Sequence, residues 1–341
     1  MAESHTFDAL DLQLLQALQL DGRASYSRIG AVLGVSDQTV ARRLRHLGSA
    51  LDLRVVGVRD GEPLGRDSWT LRLRIKPDAA DAVARALARR PDTSWIGLAS
   101  GGTEIICSTA FSRAGDHEEL ILGKLPRTPS ITDIRAHQIL HRFFGGPTGW
   151  FAAADALTPE QAAALTPRTP AGRDGARTAP GPADEALLRV LERDGRAPVA
   201  ELAKASGLSE SAARRRLDQL LRSGSLYIDV EYSTAALGYT TRALLWVTAE
   251  PRALDAVGRA LAARPEAAAV FATSGQSNVM AVLVCRDVGE VYRFLTGVVG
   301  GLDGVRHVEV SPVLRNVKQL TYDDAGQRRG RPRTGRAGER G

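Results

Sequence analysis

Cysteine is almost missing from this 341-residue chain, which has only Cys107 and Cys285. Both lie in apolar, strand-like runs, so they read as buried free thiols in a reducing cytoplasm rather than as a disulfide framework. No apolar run approaches the ~20 residues of a bilayer span. The opening M-A-E-S-H-T-F-D lacks the basic-then-apolar pattern of a secretory signal. A cytoplasmic protein with no membrane partner is expected. There is no P-loop, CxxC or G-x-S-x-G, and no His, carboxylate and nucleophile set that recurs along the chain. These absences argue against an enzyme and against a cofactor. His137 and His141 are four apart, but in a predicted strand they stand about 13 Å from each other, too far for one metal ion.

Net positive charge is also scarce outside one segment. The formal net charge is +6, but residues 328–341 hold six arginines against Glu339, leaving the rest nearly neutral. The basic character therefore belongs to a tail, not to the globular body. Hydrophobic residues make up 43% of the chain, enough for real cores, and the length allows two to four ordinary domains.

What the chain does have is a copy of itself. Asp11, Leu14, Leu15, Leu18, Asp21, Gly22, Arg23 and Ala24 return 173 positions later as Asp184, Leu187, Leu188, Leu191, Asp194, Gly195, Arg196 and Ala197. Gly34, Ser36, Arg42, Arg43, Leu44 and Leu47 return as Gly207, Ser209, Arg215, Arg216, Leu217 and Leu220. Further on, Asp81 to Pro91 matches Asp255 to Pro265 at an offset of 174. The period is far too long for a solenoid and implies a duplicated module.

Each copy begins with a helical head. Leu14, Leu15 and Leu18 form an apolar stripe that Asp21-Gly22 should end, the glycine taking the left-handed position. Ser25 can cap a short second helix that Gly34 breaks, and Ser36 then caps a third helix. Val40, Leu44 and Leu47 point inward, leaving Gln38, Thr39, Arg42, Arg43 and Arg45 outside. In the second copy Ser209 caps the matching helix, with Ser211, Arg215 and Arg216 outside. Two helices joined at a glycine, the second polar and basic on its outer face, suit insertion into a DNA major groove. Ser, Thr, Gln and Arg there can reach base edges or phosphates.

The pattern D-x-x-L-L-x-x-L-x-x-D-G-R, then G-V-S or G-L-S, then R-R-L-x-x-L resembles the helix-turn-helix of the Lrp/AsnC (leucine-responsive regulator) family. Arg222 to Gly238 resembles the family's short strand pair leading out of the head, while the first copy departs from it there. After each head the order strand, helix, strand, strand, helix, strand predicts a four-stranded antiparallel sheet with both helices on one face. The predicted strands are Leu71–Ile75, Trp95–Ala99, Glu104–Ser108 and Ile131–Ile139, and then Ala243–Val247, Ala268–Thr273, Val279–Val284 and one starting at Val305. This too is similar to the family's effector-binding body. The fold class is α+β: a winged helix-turn-helix head followed by a βαββαβ ferredoxin-like domain, duplicated.

The resemblance implies an effector pocket at a G-x-x-D motif between the second and third strands. Here it reads Gly101-Gly102-Thr103-Glu104 in one copy and Gly275-Gln276-Ser277-Asn278 in the other. Neither has the aspartate, so Gly101, Glu104, Gly275 and Asn278 are candidate ligand residues with unequal charge.

The expected organisation is a first head at 7–60, a first body at 68–150, a linker with a short helix from Thr158 at 151–183, a second head at 184–238, a second body at 239–322 and an Arg-rich tail at 323–341. The Pro- and Gly-rich stretch 166–183 averages roughly 23 Å end to end, which lets the two units pair within one chain. In the tail, R-G-R-P resembles an AT-hook core whose Arg329 and Arg331 would enter a narrow minor groove, but a plain disordered basic tail is the first expectation, and either adds salt-sensitive phosphate affinity. The expectation is a transcriptional regulator, an intramolecular pseudo-dimer with scope for further homo-oligomers, whose partners are double-stranded DNA and an amino acid or related effector. The same head-plus-body plan also resembles the sirohaem decarboxylases, tetrapyrrole enzymes that do not depend on DNA; this is one rival expectation, and a DNA-binding protein that acts without an effector is the other.

Overall fold

A computed structural model describes residues 7–60, 68–110, 118–147, 149–167 and 181–320. The first head contains α1 (Ala9–Leu20), α2 (Tyr26–Leu33) and α3 (Asp37–Ala50). Asp8 and Asp11 form a capping box on α1, Ser25 caps α2, and Ser36 caps α3 by accepting from Thr39 N. Gly34 ends α2 in the left-handed region at φ 69°. The expectation for Gly22 is corrected. Asp21 ends α1 in an extended conformation, and Gly22 has no positive φ. A Cβ on Gly22 would lie 2.5 Å from Ile228 Cγ2, so the glycine serves close packing between the two units.

The second head repeats this plan with α6 (Pro182–Arg193), α7 (Val199–Ser206) and α8 (Glu210–Arg222). The strand leaving each head pairs with its counterpart in the other unit. The antiparallel partners β1 (Arg54–Arg59) and β6 (Leu226–Glu231) run from Arg54↔Glu231 to Arg59↔Leu226. The Arg222–Gly238 segment therefore supplies one strand of the pair and the first copy supplies the other. Reciprocal arginines clasp the heads. Arg23 Nη2 donates to Ala197 O at 3.0 Å, and Arg196 donates to Gly22 O at 2.6 Å and Ala24 O at 2.7 Å.

The first body contains β2 (Ser68–Ile75), α4 (Ala80–Ala88), β3 (Thr93–Ala99), β4 (Glu104–Ala110), a wide π-type helix (Glu118–Lys124) and β5 (Ile131–Phe144). The second contains β7 (Thr241–Ala249), α9 (Leu254–Ala262), β8 (Ala267–Thr273), β9 (Val279–Cys285), α10 (Val288–Arg293) and β10 (Val305–Lys318). Their sheets join at both edges, β5 to β8 and β10 to β3, closing an eight-stranded antiparallel barrel. Closure removes the exposed edges that each sheet would otherwise present.

Strand alternation sorts the side chains. Leu71, Leu73 and Ile75 face the helices of their own unit, as do Ala243, Leu245 and Val247. Leu244 and Trp246 join Ala99, Ile106 and Met280 in a separate inner core.

The helical part of the linker segment packs on the first head. Phe151, Leu157 and Leu165 are buried in the first head's core. Helix α5 (Pro159–Leu165), with its capping box from Thr158 to Gln161, is held by Arg28 Nη2 on Ala164 O at 2.8 Å. The rest of the linker, 168–180, and the tail from 321 lie outside the described residues.

Candidate nucleic-acid interface and ligand pockets

Helices α3 and α8 bury Val40, Leu44 and Leu47, and Ala213, Leu217 and Leu220, against their heads. Their opposite faces carry exposed Gln38, Arg42 and Arg45, and exposed Ser211, Arg214 and Arg215. Arg42, Arg214 and Arg215 have no carboxylate within ion-pair reach among the described residues. Arg45 Nε reaches back to Ala41 O at 3.3 Å. Thr39 is half-buried, its hydroxyl 3.0 Å from that of Ser36, and Ser211 lies 3.1 Å from Ser209 in the same way. Ser36 and Ser209 act first as helix caps. Arg214 belongs to the exposed face although it has no counterpart in the repeat, where Ala41 stands.

Arg43 and Arg216 are placed differently. Arg43 binds Asp8 at 2.7 Å and Asp11 at 3.3 Å, and Arg216 makes a two-pronged bond to Asp184, with Nη2 2.6 Å from Oδ2. Arg216's hydrogen bonds hold the Asp184 carboxyl below the usual range, and the same bonds raise Arg216. These two arginines tie the recognition helix to the first helix of its own head. Arg329 and Arg331 of the tail lie outside the described residues.

Gly101 adopts a left-handed φ of 73° at the turn before β4. Glu104 does not point to solvent. Its Oε1 takes Arg72 Nε at 2.6 Å, and its Oε2 accepts from Ser100 at 3.0 Å and Ser311 at 3.1 Å. Arg72 also binds Glu309 at 2.6 Å and lies 4.4 Å over the Trp246 ring. Burial works against the Arg72 charge, but the bonds to Glu309 and Glu104 outweigh it and raise its pKa. In the other copy Asn278 pairs with one peptide: Oδ1 accepts from Ala249 N and Nδ2 donates to Ala249 O, both at 2.8 Å. Gly275, at φ 99°, leaves room for His137, whose Nδ1 lies 2.9 Å from Ser274 O. An effector at Glu104 or Asn278 would have to displace these bonds.

A concavity opens at the end of the barrel nearest the heads, with a volume of about 180 Å³. Its polar lining includes Arg242 and Ser108 from the barrel, with Gln19 of α1 and Asp229 of β6 closing it from the head layer. Burial pushes the Asp229 carboxyl up to about 7, against the bonds it receives from Val230 N and Gln19. Sequence reasoning passed over Arg242, although strand alternation places it on the face of Leu244 and Trp246. Among the described residues no cluster of three or more His, Cys, Asp or Glu could hold a metal, and no helix is long and apolar enough to cross a membrane.

Duplicated helix-turn-helix heads on antiparallel α+β bodies define a class of paired-module proteins. The AsnC-type helix-turn-helix domain matches residues 7–47 and 183–221, and the Lrp/AsnC ligand binding domain matches residues 242–322. The chain belongs to the Lrp/AsnC family. It is 32% identical over 145 residues to an uncharacterized HTH-type transcriptional regulator of Pyrococcus abyssi, covering 41% of this chain and 88% of that protein. It is 29% identical over 136 residues to the HTH-type transcriptional regulator LrpA of Pyrococcus horikoshii, covering 40% and 96%. The crystal structure of the siroheme decarboxylase NirDL superposes with a TM-score of 0.62 at 14% identity, covering 94% of this chain and 96% of that one. That likeness concerns the fold.

Proposed function

We propose that the protein is a sequence-specific DNA-binding transcriptional regulator in which one chain supplies both halves of a dimer-like reader. The observation that carries this reading is the pair of exposed faces, Gln38, Arg42 and Arg45 on α3 and Ser211, Arg214 and Arg215 on α8. On each helix the neighbouring arginine is committed to the scaffold, while these side chains have no carboxylate partner among the described residues. Such a face can bind phosphates and read bases. Ser36, Thr39 and Ser209 contribute at the helix N-termini, and Arg329 and Arg331 add affinity from the tail. Arg43 and Arg216 support the face from behind. The protein acts in the cytoplasm, and its output is set by a small metabolite, an amino acid in the simplest case, with Gly101, Glu104, Gly275 and Asn278 as one candidate location.

The two faces are unequal, so DNA selected from a random pool should be an imperfect palindrome with half-sites a helical turn, or a multiple of one, apart. Absence of any enriched sequence would remove the reading, and a perfect palindrome would remove unequal readers. A second reading, an enzyme similar to the sirohaem decarboxylases, is favoured by the end-to-end correspondence with a fused two-unit chain of that name. Tight binding of sirohaem, seen as an absorbance band on the purified protein, together with no shift of any DNA, would put that reading first.

A further inference from the structure

We infer that the cavity at the barrel mouth is a binding site for a small organic carboxylate with an aromatic or branched apolar body, held by Arg242. The site is separate from Glu104 and Asn278 and does not depend on the DNA-binding reading.

The argument begins with an uncompensated charge. Arg242 Nε is buried and has no hydrogen-bond partner, and no carboxylate is paired with the guanidinium among the described residues. Asp229, the acidic residue in the same lining, is engaged by Gln19 and by Val230 N. Burying a cation without an anion is costly, and a protein ordinarily pairs such a group or replaces it. Here the chain keeps it and faces it with an aromatic ring, Arg242 Cζ lying 5.8 Å from the Trp95 ring centroid. Trp95 itself sits at φ 48°, a left-handed conformation that strains a non-glycine residue. An indole that is 43% exposed and held there under strain lines the cavity rather than filling a core.

The rest of the wall sets the ligand's body. Leu244, Phe271 and Val313 supply apolar surface, and Ser108 and Asn316 supply neutral polar groups. A void of about 150 Å³ accepts benzene, so about 180 Å³ accommodates a ring bearing a carboxylate. The site is single because the two copies differ here. At the offset of 174, Arg242 corresponds to Ser68 and Trp95 to Ala269. A bound carboxylate would meet Arg242 through charge-assisted bonds and would also lie within the cavity that Gln19 and Asp229 close.

The test uses the full chain and benzoate as probe, with benzyl alcohol as its neutral counterpart and L-phenylalanine as a zwitterion. Titration calorimetry should show benzoate binding at one site per chain, with benzyl alcohol at least tenfold weaker. Arg242→Met should weaken benzoate at least tenfold and leave benzyl alcohol unchanged, and Arg242→Lys should restore part of the affinity. Without ligand, Arg242→Met should melt no lower than the parent protein, because it removes a half-buried charge whose Nε has no partner. No benzoate binding at millimolar concentration, equal binding of benzyl alcohol, or indifference to Arg242→Met would overturn the proposal, and water alone would then solvate the arginine. L-Phenylalanine binding tighter than benzoate would overturn the monocarboxylate assignment in favour of an amino acid. Loss of DNA binding with benzoate binding intact would refute the regulator and leave this site standing.

Discussion

Arg215 and Arg216 are sequence neighbours with opposite assignments, and substituting each in turn separates scaffold from reader. Arg216→Met removes a two-pronged bond to Asp184, whose side chain is only 4% exposed. Asp184 then keeps the Gly181 amide at 2.8 Å as its remaining partner. Losing hydrogen bonds to a buried charged group costs about 1.5–3 kcal/mol. For a cooperative unit of 150–250 residues that corresponds to a fall in Tm of about 3–12 °C. Arg43→Met should cost less, because its bonds to the buried Asp11 are long, 3.3 Å, and its short one goes to Asp8, which is 48% exposed and screened by solvent. Because Arg216 holds the Asp184 carboxyl low, the contribution is present above the unfolded carboxyl value of about 3.9 and fades as pH falls through the lowered folded value. The gap in Tm between parent and variant should therefore close on acidification. Arg215→Ala should behave in the reverse way, leaving melting unchanged and weakening the selected DNA site by about 1–3 kcal/mol if it reads a base. Paired thermal melts and DNA titrations check both. An Arg216→Met protein that melts normally but has lost specific DNA binding would refute the scaffold assignment.

Asp229 gives the opposite pH signature: its folded pKa, raised by burial to about 7, makes its contribution complete below about 4 and lost as pH rises toward 7, so parent stability should fall across that window relative to Asp229→Asn. Parallel melting curves for the two proteins would show that the carboxyl titrates normally. Deleting residues 328–341 should weaken binding to all DNA sequences about equally and flatten the slope of log K against log salt, while an unchanged slope would mean that the tail makes no phosphate contacts. Glu104→Gln should lower the Tm of the ligand-free protein by removing one of the two carboxylates, Glu104 and Glu309, that share Arg72, and an unchanged Tm would mean that the carboxylate is available to an effector.

The heads were legible because their information is local. Ser36 and Ser209 announce helix starts, Gly34 and Gly207 announce a turn, and the leucine spacing announces the buried side. Strand positions followed from alternation for the same reason. What escaped the sequence lies in couplings across the chain. Arg43 and Arg216 look like two more outward arginines at helical spacing, yet their partners Asp11 and Asp184 sit 32 residues earlier, inside the same repeat. The pairing of β1 with β6 and the closure of the barrel rest on backbone hydrogen bonds, which leave no side-chain signature. Composition marks 166–183 as a linker, but it could not show that α6 already begins at Pro182 or that Phe151, Leu157 and Leu165 upstream complete the first head's core. Glu104 was read by its motif alone, and Arg72 lies on another strand.

Duplication within one chain also changes what the axis between the units can hold. In a homodimer a residue on the two-fold axis meets its own copy, and a buried arginine there would face a second arginine. At the offset of 174, Arg72 corresponds to Trp246. Here the two meet as cation over ring at 4.4 Å, a favourable pair that identical subunits could not form from these positions. The next pair follows the same logic: His137 corresponds to Ser311, and both pack against Trp246, the histidine with ring centroids 5.2 Å apart and the serine by accepting from the indole Nε1 at 3.2 Å. By contrast Asp21, Gly22, Arg23 and Ala24 are unchanged in the second copy, and they are the residues whose arginines and carbonyls clasp the heads reciprocally. Where the contact is the same from both sides the copies have stayed alike. Where the barrel interior needs a cation on one side and a ring on the other, they have diverged, and the single charge of Arg242 at the barrel mouth belongs to that divergent interior.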